Sequence, residues 1–214
     1  MVQVKKPEMR SRILSAAAEL FATNGYTRAT INEIARASGT APSNVYVYFK
    51  SKLEIVFALY EPWFREQIET LGIEVAQLRS SEAKILRIIH KLWSELPADS
   101  RSNNVIQAVA AAMPGDRYDP GLLRWTEQKV ADMLASALPA DRAAELDCLR
   151  LAHVLMMAFD GFAVNYRTAR GVACNHGIVR QMGQLITGAA SSSTAPAKKS
   201  QRERTRRKLR VAGG

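Results

Sequence analysis

The first strong pattern along this chain is apolar and helical. Ile13, Leu14, Ala17, Leu20 and Phe21 fall at the i, i+1, i+4, i+7 and i+8 positions of one helix face. Asn24-Gly25 interrupts that face, and Tyr26 beyond the glycine is placed to fold back onto the last turn. Two short helical runs follow, over 31–38 and 41–47, with Gly39 between them. A long helix is predicted from Ser51 to Leu78, and Pro62 inside it is expected to kink or split it. Further apolar stripes predict helices over 82–96, 103–113, 119–138, 142–168 and 175–189. The expected breaks lie at Pro97-Ala98-Asp99, Pro114-Gly115-Asp116, Pro139-Ala140-Asp141 and around Gly171. No alternation of strand period appears. The expected fold is all-α, with about nine helices.

The two short runs carry more than periodicity. The Thr30 hydroxyl can cap the first of them, and Glu33, three residues on, can return the bond, which makes a capping box. Ile34 and Ala35 face inward, and Gly39 ends the helix where a positive φ is wanted. The connection to the next run is too short for antiparallel packing, so the two helices cross steeply. That is the helix-turn-helix arrangement, which places its second helix in a DNA major groove. Thr40, Ala41, Ser43 and Asn44, near the start of that helix, suit contacts to base edges. Asn can bond adenine bidentately, and Ala or a Thr methyl can touch a thymine methyl. Thr30, Tyr46, Tyr48 and Lys52 suit phosphates. Ala41 cannot cap the helix as Ser would, a loss of roughly 1 kcal/mol. Pro42, with its φ already helical, offsets part of that.

Residues 10–60 resemble the DNA-binding domain of the TetR family of bacterial transcriptional regulators. Thr30, Ile34, Ala35, Gly39, Tyr46, Phe49 and Lys52 fall on the family spacing, and Ser38 takes the small position before the glycine. Thr40, Ala41 and Ser43 depart from the Val, Ser and Gly usual there. The resemblance implies a small-molecule effector site in the body. It also implies a four-helix dimer interface built from the last two helices of each copy.

Charge sharpens this picture. The formal net charge is +10, but it is not evenly spread. Residues 1–50 carry +4, residues 51–197 carry −1, and residues 198–210 carry +7. Basic ends around a neutral body suit a body that binds something other than nucleic acid. Three parts are expected: a helix-turn-helix domain over 1–50, an effector-binding and dimerisation domain over 51–190, and a disordered basic tail over 191–214. The 47% of hydrophobic residues are enough for a sizeable core. Cys148 and Cys174 lack metal or redox spacing and read as free thiols of a reducing cytosol. The N-terminus lacks the apolar stretch of a signal peptide. No apolar run approaches about 18 residues, so no membrane helix is expected. No phosphate-binding loop, dinucleotide fingerprint, zinc-protease motif, nucleophile elbow or metal triad appears, so neither an enzyme nor a cofactor is expected.

Within the body, Trp63, Trp93, Met113, Trp125, Met133, Met156 and Phe159 are candidates to line an apolar effector cavity. Phe64 and Met157 belong to the same group. Leu149, Met156, Ile178, Met182 and Leu185 are candidates for the dimer interface. The expected function is a cytoplasmic, dimeric regulator, most simply a repressor, that leaves a palindromic operator when an apolar effector binds. The alternative is an architectural nucleic-acid-binding protein that has no effector and is driven by the basic tail. A solvated tail that touches nothing is equally compatible with its composition.

Overall fold

The structure, a computed structural model, describes residues 6–112, 120–168 and 174–188. Met113 and the basic tail lie outside the described residues. The described chain is helical throughout: α1 (Pro7–Arg28), α2 (Ile31–Ala37), α3 (Pro42–Tyr48), α4 (Lys52–Gln77), α5 (Ser81–His90), α6 (Leu96–Ala98), α7 (Ser100–Ala110), α8 (Gly121–Ala137), α9 (Ala140–Glu145), α10 (Cys148–Thr168) and α11 (His176–Thr187). A π-helical turn, Lys91–Glu95, joins α5 to α6.

Two apolar cores meet along α4. The first gathers Ile13, Phe21, Ile34, Val45 and Phe49 from α1–α3 and their edges with Leu53, Ile55 and Val56 of α4. The second takes Tyr60, Phe64, Ile68 and Leu71 further along α4, with Ile88, Leu92, Val130, Leu134, Leu155 and Phe159. The N-terminal core therefore reaches past residue 50 into the first turns of α4. Ala108 of α7 also belongs to it, so α7 touches both cores.

Several local expectations change. Pro62 does not split α4, which runs unbroken from Lys52 to Gln77. The predicted helix over 142–168 is two helices, because the Asp147 carboxylate accepts from the Arg150 N–H and starts α10 afresh. The helix predicted over 103–113 begins at Ser100, where Asp99 caps it through the Arg101 N–H. Among the described residues, α9 and the three-residue α6 account for the excess over nine helices. The membrane expectation needs one correction. Residues 148–165 of α10 reach a mean hydropathy of 1.2, long and apolar enough by composition to span a bilayer. Only 28% of that stretch is buried, so α10 packs one side on α8 and leaves an apolar side uncovered.

Candidate DNA-binding face and internal cavity

The turn between α2 and α3 is fixed by its own residues. The Thr30 hydroxyl accepts from the Glu33 N–H at 3.2 Å, and the Glu33 carboxylate accepts from the Thr30 N–H at 2.8 Å. The Thr30 N–H and hydroxyl, both donating to the Glu33 carboxylate, hold that carboxyl below its usual value. Ser38 is buried and its hydroxyl donates back to the Ile34 carbonyl at 2.8 Å. Gly39 sits at φ 69°, and a side chain there would also strike the Arg12 guanidinium. Ala41 occupies the N-cap of α3 with no side-chain bond, and Pro42 follows in the first turn.

Ala41, Pro42, Ser43 and Tyr46 are exposed on α3, while Val45 and Phe49 face the core. Asn44 is half-buried, and its amide donates to the Thr40 hydroxyl at 2.7 Å. Two base-reading candidates thus brace each other. Tyr48 is tied to the start of α1, its hydroxyl accepting from the Lys6 N–H at 3.0 Å. Lys52 departs most from expectation. Its ammonium donates to the Tyr26 carbonyl at 2.8 Å and the Ala29 carbonyl at 2.9 Å, and lies 4.2 Å from the Tyr26 ring centroid. Burial lowers its pKa. The lysine staples the end of α1 to the start of α4, a role its spacing did not reveal.

The body holds a cavity of about 400 Å³, within the range of small-ligand sites. Of the predicted lining residues, Phe64, Met156 and Phe159 line it. Trp63, Trp93, Trp125 and Met133 do not. Trp93 is buried in the core with its indole N–H donating to the Leu155 carbonyl at 2.9 Å. Trp63 lies under the Arg101 guanidinium, and Trp125 under Arg65 and Lys129. Buried Met133 packs in the core. The walls missed by sequence reasoning include Tyr60 of α4, Ser102 and Val105 of α7, Leu122 and Thr126 of α8, and Asp160 of α10. The single acid of α10, set among apolar neighbours, was the available signal for Asp160. Its carboxyl is still reached by solvent but is ringed by apolar wall, and desolvation pushes it up to about 6.

Of the predicted interface residues, Leu149, Ile178 and Leu185 are exposed, together with Val154 and Met157. Met182 is half-buried against the core. Met156 is buried within its own chain and turned to the cavity, so it leaves the outer face. Cys148 and Cys174 are both free thiols.

Residues 13–59 match the model of the bacterial regulatory proteins of the tetR family. The fatty acid metabolism regulator protein of Bacillus subtilis (strain 168) is 30% identical over 95 residues, 44% of this chain and 48% of that protein. The match thus spans about half the length of this relative. The solved fatty acid degradation regulator FadR of Bacillus halodurans shares the fold, with a TM-score of 0.59 at 19% identity over 88% of this chain and 99% of that one. FadR of Bacillus subtilis, solved in complex with stearoyl-CoA, follows with a TM-score of 0.56 at 18% identity, covering 84% of this chain and 98% of that one. Residues 13–59 thus form a DNA-binding domain of the TetR family of bacterial transcriptional regulators, and the described chain shares the fold of the two FadR structures.

Proposed function

We propose that this chain is a cytoplasmic, dimeric repressor that binds a palindromic operator and is released when a small, mostly apolar molecule fills the cavity. The observation that carries this reading is the position of α7. One side of it, with Ser102, Val105 and Ile106, lines the cavity. The other side grips the end of α1: the Asn104 side-chain oxygen accepts from the Tyr26 N–H at 3.2 Å, and Gln107 accepts from the Thr27 hydroxyl at 3.0 Å. Lys52 holds the same corner from α4. Cavity and reader thus share two rigid helices. A ligand that favours a shifted α4 and α7 shifts the reader with them, by as much as its affinity differs between the two arrangements.

Two half-sites about 34–36 Å apart require two readers at a fixed spacing. The exposed apolar face of α10 and α11 suits a second copy of the chain. Leu185→Glu places a charge on that face, so sedimentation is expected to show monomers that no longer bind operator. A wild-type chain that sediments as a monomer at micromolar concentration overturns the dimer. A small ratio of specific to nonspecific DNA affinity would favour the architectural alternative.

A further inference from the structure

We propose that the cavity is a site for a lipophilic amine, with the apolar body held by its aromatic and aliphatic walls and the basic nitrogen paired with Asp160. This rests on the ligand-responsive reading above and names the chemistry of the same site. Among the described lining residues Asp160 is the one carboxylic acid, and none is Lys, Arg or His. Among the described residues it has no cationic partner, and its desolvated carboxylate gains by acquiring one. A second unmet demand lies deeper. Ser102 is 1% exposed, and its hydroxyl has no partner among the described residues, so a polar atom on the ligand body has a place to bond. Thr126, by contrast, is satisfied by the Leu122 carbonyl at 2.9 Å.

The same lining disfavours anions. A carboxylate head would meet Asp160, and the phosphates of an acyl-coenzyme A would find no cation among the described lining residues. The preference therefore differs from the thioester bound by the Bacillus subtilis neighbour. It also runs against the overall charge of +10, which attracts anions and repels amines, so a measured preference for an amine comes from the site.

Dodecylamine, dodecanol, dodecanoate and dodecanoyl-coenzyme A share one chain length and differ in head group. Calorimetric titration of the full chain with each, below its aggregation limit, is expected to rank the amine about tenfold or more tighter than the alcohol, with both anions weaker still. Asp160→Asn is expected to bring the amine down to the alcohol and leave the alcohol unchanged. The proposal is overturned if the amine gives no binding, if either anion binds as tightly as the amine, or if Asp160→Asn keeps the preference. Should that variant misfold, the wild-type ranking decides alone. Operator titrations with the same probes separate the two readings. An amine that binds with the expected preference but leaves operator affinity unchanged ends the regulatory role and keeps the site. Release by an anion that outcompetes the amine keeps regulation and ends the amine site.

Discussion

The N-terminal helices, completed by the start of α4 and one side of α7, pair their polar groups and fill their core, whereas the body leaves space and unmet bonds. In the first, Thr30 and Glu33 cap each other, Ser38 closes on the preceding turn, and Lys52 takes the carbonyls at the end of α1. In the second, a cavity of about 400 Å³ sits among Tyr60, Phe64 and Phe159, Ser102 lacks a partner, and the outer side of α10 is apolar and uncovered. Close-packed interiors resist deformation, and voids yield to it. The contrast fits a rigid reader carried by a body that can change.

The largest expected effect tests the closed core of the reader. Phe49→Ala removes a buried ring and is expected to cost about 3–5 kcal/mol there. Hydrogen exchange should show α1–α3 opening while α5 and α8–α11 stay protected. Uniform loss of protection would mean that the two cores melt as one. Lys52→Met comes next. It strips the ammonium from two carbonyls and should lower the melting temperature through a loss of about 1–3 kcal/mol. An unchanged melting temperature with weakened DNA binding would return Lys52 to a simple phosphate contact.

Asn44→Ala is expected to weaken operator binding by about 1–3 kcal/mol and nonspecific binding much less. Equal losses in a binding titration would remove Asn44 from base reading, leaving its bond to Thr40 as its role. In the body, burial would raise the Glu95 carboxyl, but bonds from Arg87, Lys91 and His90 outweigh it and hold it at about 2. Its folded value lies below its unfolded one, so its stabilisation is present above about 4.5 and fades as pH falls toward 2. Because the group is half-exposed, the effect is on the order of 1 kcal/mol. Urea titrations of Glu95→Gln across that window should show a flatter pH dependence than wild type; parallel curves would count against it. The smallest effect tests the void. Leu122→Phe extends into the cavity and should change stability by under about 0.5 kcal/mol, while Val45→Phe in the filled core costs about 1–3 kcal/mol. Equal costs at both positions would erase the contrast between the two regions.

Sequence alone determined what short-range physics controls in this protein. The capping box, the positive-φ glycines at 25 and 39, the inward faces of α1 and α3, and the break after Pro97 all depend on residues a few positions apart. The family spacing belongs to the same stretch. Tertiary structure decided the rest. Trp93 and Met156 look alike as apolar positions on helices, yet one packs in the core and the other opens on the cavity. That depends on how α4, α7, α8 and α10 cross, which no local pattern encodes. Asp147 dividing the predicted 142–168 helix was local and was missed. The Lys52 staple was beyond reach, since its carbonyl partners lie 23 and 26 residues away. Periodicity says which side of a helix is buried; only packing says against what, and where the packing stops short.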